Sequence, residues 1–181
     1  RLFAPTSGGT MSAVCYHALS SNITATANTA SGYKSLSTTT TASGKSAIGS
    51  YALANNTPAA KNAAVGFRAL NGNTTGGSNT AMGYQALFSN TTGNQNTAMG
   101  YQALYSNTTG TYNPASGYEA LYSNTTGSYN TAVVSRTLRA TTPGCDNTAV
   151  GSPAITPNTT GTQNHPPGYH APPATNPRAT T

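Results

Sequence analysis

The stretch Asn79-Thr80-Ala81-Met82-Gly83-Tyr84-Gln85-Ala86-Leu87-Phe88-Ser89-Asn90-Thr91-Thr92-Gly93-Asn94-Gln95 is followed at once by a near copy from Asn96 to Tyr112, and by another from Asn113 to Tyr129. The spacing is 17 residues, and the frame extends both ways without insertion or deletion. All nine leucines of the chain fall on one position of it: Leu2, Leu19, Leu36, Leu53, Leu70, Leu87, Leu104, Leu121 and Leu138. Six residues before Leu19 stands Ala13, and the same relation holds for Ala30, Ala47, Ala64, Ala81, Ala98, Ala115 and Ala132 with their leucines. Two residues after most of these alanines comes Gly, with Cys15 and Val134 as exceptions. A period this strict has a physical meaning when equivalent residues stack on one another, because a disordered low-complexity chain has no reason to keep register.

Seventeen residues are too few for paired-helix repeats, and the central Gly and the Asn-Thr-Thr-Gly segment are poor helix material. The repeat predicts a short strand over Thr80–Tyr84, a second over Ala86–Phe88, and a closing turn over Ser89–Gly93. The expected fold is all-β, a parallel β-solenoid (β-roll) of about ten 17-residue coils, with rungs about 4.8 Å apart. Residues 1–163 form the solenoid on this reading, and 164–181 form a Pro-rich degenerate last repeat or cap. Strand alternation sets Thr80, Met82 and Tyr84 against Ala81 and Gly83. The most apolar columns are the Leu series and Val14, Ile48, Val65, Met82, Met99, Val133 and Val150, so both are expected inside. The Ala and Gly columns are then left for close approach of a neighbour.

Composition bounds the function. Of 181 residues, Thr (33), Asn (19), Gly (19) and Ser (18) make up about half, and charged residues only 6%. With two carboxylates, Glu119 and Asp146, and three histidines, the chain has little from which to build a general acid, a general base and an orienting partner, so no enzyme is expected. The net charge of +6 is scattered rather than gathered into a basic stripe, which argues against nucleic acid. No apolar run is long enough to span a bilayer. His165, His170 and Cys145 lack metal-ligand spacing, and no metal or cofactor is expected beyond covalent glycans. Cys15 and Cys145 are 130 residues apart, between seven and eight rungs, too far for an intrachain disulfide. They are expected as free thiols or as pairs between chains. The chain begins and ends within a repeat and reads as a segment of a longer fibre.

Three sets of residues are candidates for function. The turns carry Asn-x-Thr acceptor sequences at Asn22, Asn55, Asn73, Asn90, Asn107, Asn124 and Asn158, which read as glycosylation sites displayed along one edge, on Asn or on hydroxyls such as Thr92, Thr109, Thr126 and Thr160. Asn, Thr and Gly also favour turns without any modification. The aromatic column Tyr16, Tyr33, Phe67, Tyr84, Tyr101, Tyr118 and Tyr169 reads first as a structural ladder and second as a platform for sugars or another chain. Threonine columns are compatible with ice, although the turn threonines are adjacent rather than alternate.

At Asn79 to Leu87 and its copies, the run Asn-Thr-Ala-Met-Gly-Tyr-Gln-Ala-Leu resembles the head repeats of trimeric autotransporter adhesins and related tail-fibre repeats. The likeness covers the strand half of the copies from Ala13 to Ile155. It implies a parallel β-roll, extracellular display and adhesion. In style the Thr-rich tandem repeat also resembles glycan-coated extracellular fibrils. The leading expectation is a non-enzymatic structural protein of an extracellular fibril, self-associating and glycosylated, located outside the cell or at its surface. An adhesin or phage-type fibre that binds surface glycans is the alternative, and an ice-binding solenoid the next.

Overall fold

The computed structural model describes residues 9–151 and residue 162. Each coil contributes one three-residue strand: β1 (Ser12–Val14), β2 (Thr29–Ser31), β3 (Ser46–Ile48), β4 (Ala63–Val65), β5 (Thr80–Met82), β6 (Thr97–Met99), β7 (Pro114–Ser116), β8 (Thr131–Val133) and β9 (Thr148–Val150). They form one parallel sheet in sequential order. The register is 17 residues at every pair, so that Ala81 faces Ala98 and Met82 faces Met99. This is the parallel solenoid expected from the repeat. The described residues complete about eight coils rather than ten, a stack of roughly 40 Å at about 4.8 Å per rung. The Pro-rich segment 164–181 lies outside the described residues.

The interior differs from expectation in one column. Leu19, Leu36, Leu53, Leu70, Leu87, Leu104, Leu121 and Leu138 are buried, as the repeat predicts. Beside them, however, lie the strand alanines Ala30, Ala47, Ala64, Ala81, Ala98, Ala115, Ala132 and Ala149, and a second Ala row of Ala52, Ala69, Ala86, Ala103 and Ala120. Val14, Ile48, Val65, Met82, Met99, Val133 and Val150 point outward and are exposed. The reason is cross-section. A 17-residue coil closed by tight turns already houses Leu and two columns of asparagine, and methyl-sized side chains fill the remaining space. Alternation then forces the bulkier neighbours of the strand Ala outward.

The second expected strand, Ala86–Phe88, is a succession of turns. Gln85 and Leu87 both take left-handed backbone, φ 53° and 52°, and the leucine does so in every described coil. Ala86 N–H bonds back to Gly83 O at 3.4 Å and Asn90 N–H to Leu87 O at 3.3 Å, while Leu87 N–H crosses to Ala103 O in the next coil at 3.0 Å. A left-handed Leu is rare. Here burial of its side chain and an axial hydrogen bond hold it in place. The strand ends for a steric reason. Gly83 has φ +144°, and a Cβ there would lie 2.3 Å from Gly100 O. Cys15 and Val134 occupy this position with φ 93° and 92°.

Candidate interaction surface

The strands project three columns outward on one face: the Thr80 column, the Met82 column and the Tyr84 column. None of the described charged residues falls in any of them. Met82 (47% exposed), Met99 (43%), Tyr84 (44%), Tyr101 (42%) and Tyr118 (43%) form an apolar band. The rings stack along the rod, Phe67 on Tyr84 at 5.4 Å, Tyr84 on Tyr101 at 5.2 Å, and Tyr101 on Tyr118 at 5.1 Å. The last two pairs lie within 7° of parallel. Their faces are therefore turned to one another, and the edges meet solvent. A second stack runs Phe88, Tyr105, Tyr122, and a third pairs Tyr112 with Tyr129.

Guanidinium groups close these stacks. Arg68 lies 5.2 Å from the Phe67 ring centre, Arg136 5.5 Å from that of Tyr118, and Arg139 5.0 Å from that of Tyr122. Glu119 holds two of them, accepting from Arg139 Nε at 2.6 Å and lying 3.4 Å from Arg136 Nε. Burial pushes the Glu119 carboxyl up, but the hydrogen bond and charge of Arg139, with the charge of Arg136, outweigh it and hold the group below the usual carboxylate range. Burial in the stack, then the phenols of Tyr118 and Tyr84, push Tyr101 above the ordinary tyrosine value.

The acceptor asparagines separate into two environments. Asn73, Asn90, Asn107 and Asn124 are fully buried. Their amides form a ladder along the axis, with Nδ2 of Asn90 donating to Asn73 Oδ1 at 2.7 Å, Asn107 to Asn90 at 2.8 Å and Asn124 to Asn107 at 2.8 Å. These nitrogens are inside the rod and unavailable in the folded coil. Asn22 is half-buried and donates to Ala25 O, whereas Asn55, one place out of this column, is exposed. Thr92, Thr109 and Thr126 are exposed, while the preceding Thr91 and Thr108 donate their hydroxyls to the next coil's Thr carbonyl at 3.1 and 3.0 Å. Asn158 and Thr160 lie outside the described residues, as does Tyr169.

A second asparagine column escaped the sequence reading. Asn28, Asn62, Asn79, Asn96, Asn113, Asn130 and Asn147 are buried. From Asn28 to Asn130 each Oδ1 accepts the backbone N–H one coil on, as Asn62 does from Asn79 at 2.8 Å, and each Nδ2 reaches a backbone carbonyl, as Asn79 does at Gly93 O (2.8 Å). The signal was present: Asn precedes seven of the nine strands, with Met11 and Lys45 as the exceptions.

Cys15 and Cys145 are free thiols at opposite ends of the rod. Among the described residues, no group of three or more His, Cys, Asp and Glu side chains could hold a metal ion, and no helix is long and apolar enough to cross a membrane. No protein family, curated protein or solved structure matches the chain.

Proposed function

We propose that this chain is a non-enzymatic structural rod of an extracellular fibre, which packs against further copies through its uncharged strand face. One observation carries this reading: a band of exposed Val, Met, Ile and aromatic side chains, interspersed with Ser and with no charged residue in its columns along nine strands, on a chain with net charge +6. The band is about 40 Å long and three columns wide, roughly 500–600 Å² at the spacing of strands and rungs. That approaches the ~800 Å² per partner of a stable interface, and lengthening the rod enlarges it without new chemistry.

The ring geometry favours this over a sugar-gripping adhesin. A platform that stacks on pyranose rings needs exposed aromatic faces, and here the faces of Tyr84 and Tyr101 cover one another. Glycans, on this reading, belong to the turn edge, on Thr92, Thr109, Thr126 and Asn55, and not on the amides of the inner ladder. The decisive test places charge in the band. Met82→Lys with Met99→Lys, compared with the natural chain by sedimentation velocity, should convert associated species into monomers while the circular dichroism stays unchanged. A natural chain that sediments as a monomer at all accessible concentrations would refute the proposal.

A further inference from the structure

The inner turn column reads Asn22, Thr39, Asn56, Asn73, Asn90, Asn107, Asn124, Thr141. Its side chains are fully buried from Thr39 to Thr141. From Asn73 to Asn124 the amide nitrogen of one coil serves the amide oxygen of the coil before it, whereas Asn56 Oδ1, one coil earlier, is buried without a partner because Asn73 Nδ2 donates to Gly76 O instead. Threonine has no amide, and its hydroxyl stands on a shorter stem. At Thr141 the relay therefore stops, leaving Asn124 Oδ1 and Thr141 Oγ1 both buried and both without a hydrogen-bond partner. Buried polar atoms are ordinarily satisfied, and an orphaned pair in adjacent rungs of one column calls for a donor.

The molecule itself shows what such a break accepts. At the other break, Thr39, the residue six places on is Lys45, whose Nζ donates to Thr39 Oγ1 at 3.1 Å, Asn56 O at 3.2 Å and Thr57 O at 3.4 Å. An ammonium group thus occupies the space that an asparagine amide fills elsewhere. Six places after Thr141 stands Asn147, whose Nδ2 donates to Asn130 Oδ1 at 2.9 Å. It is too short to reach across as a lysine does.

We propose that the Asn124–Thr141 step binds one small species with the hydrogen-bonding chemistry of the Lys45 ammonium group, an ammonium ion or a water molecule, donating to Asn124 Oδ1 and meeting Thr141 Oγ1. The aligned amides from Asn73 to Asn124 polarise one another and concentrate acceptor strength at the terminal oxygen, which is where the species sits. Two side-chain oxygens are within the range of partners that a buried water uses.

The test uses the whole chain, natural and Thr141→Asn. High-resolution density of the natural rod should show a single isolated peak within hydrogen-bond distance of both oxygens. In Thr141→Asn the peak should vanish as the introduced amide takes its place, and the thermal midpoint should rise by roughly 2–4 °C. Midpoints in ammonium chloride and sodium chloride at equal ionic strength separate the sources. Ammonium predicts a higher midpoint in ammonium chloride for the natural chain alone, and water predicts the same peak with no salt preference. Density in which the Thr141 hydroxyl bonds Asn124 Oδ1 directly, or no peak between them, overturns the site. The natural chain alone decides this, whether or not the variant folds.

Discussion

Replacing Lys45 by asparagine should make the rod more stable and remove a pH dependence that the natural chain shows. Lys45 takes the place of Asn between Asn28 and Asn62, is fully buried, and its Nζ meets only neutral oxygens, those of Thr39, Asn56 and Thr57. Burial lowers its pKa from 10.5 to about 8. Between those values the unfolded chain holds a proton that the folded chain has released. Stability therefore rises with pH across this window and is flat below pH 8, where both states are protonated. At about 1.4 kcal/mol per pH unit the whole window is worth roughly 3 kcal/mol. The range from pH 8 to 9.5, below the ordinary tyrosine titration, should show about 2 kcal/mol of it. In Lys45→Asn the slope should disappear and stability at pH 7 should rise, since no charge is buried and the introduced amide can serve the backbone of Asn62 as Asn62 serves Asn79. Urea unfolding followed by circular dichroism at half-unit steps measures both. A flat profile in the natural chain, or an equal slope in the variant, would refute the reasoning.

Two further substitutions separate the inside of the coil from its edge. Gly100→Ala places a Cβ 2.4 Å from Gly117 O on backbone with φ +137°, and should cost at least about 3 kcal/mol or prevent folding, as read from denaturant midpoints. Asn107→Ala removes the donor to Asn90 Oδ1, leaving it a buried orphan at about 1–3 kcal/mol, while Asn124 Nδ2 loses one of its two acceptors and keeps Gly127 O. Two positions away, Thr109→Ala should stay within about 0.5 kcal/mol of the natural chain in the same titration, because Thr109 is exposed.

What the sequence made legible was what the period alone controls. Identical residues 17 apart had to stack, so the parallel register, the strand at Thr80–Met82 and the buried Leu column followed directly. The inside of the strand did not follow, since alternation defines two faces without saying which is inner. Ranking by hydrophobicity chose Met82 over Ala81, but the small cross-section chose Ala81. The Ala86–Phe88 segment misled for a different reason: nothing in the preferences of leucine announces a left-handed backbone at Leu87, which is fixed by the axial bond to Ala103 O. At Asn90 two chemistries share one sequence. Asn-Thr-Thr-Gly satisfies the acceptor pattern for a glycan and also the geometry of a turn that folds its amide inward to bond Gly93 O at 3.0 Å and Asn73 Oδ1 at 2.7 Å. Burial separates the two readings, and burial is a property of the closed coil.

Because each coil touches only its neighbours and buries little more than one Leu and two Ala, stability is a sum over repeated interfaces, and each interruption weakens the rod locally. The interruptions are unevenly placed. The Asn ladder is unbroken from Asn73 to Asn124 and the ring stack from Phe67 to Tyr118. Thr39, Lys45 and Cys15 fall before this stretch, and Val134 and Thr141 after it. The centre should therefore open last. Leucine amides report this cleanly, since Leu36, Leu87 and Leu104 make the same axial bond, to Ala52 O, Ala103 O and Ala120 O, at 2.9–3.1 Å. If ladders set local stability, hydrogen exchange at Leu87 and Leu104 should be slower than at Leu36 by about tenfold or more, the effect of roughly 1.4 kcal/mol. Equal protection of the three would mean that the rod opens as a single cooperative unit and that the breaks at Thr39 and Lys45 carry no local cost.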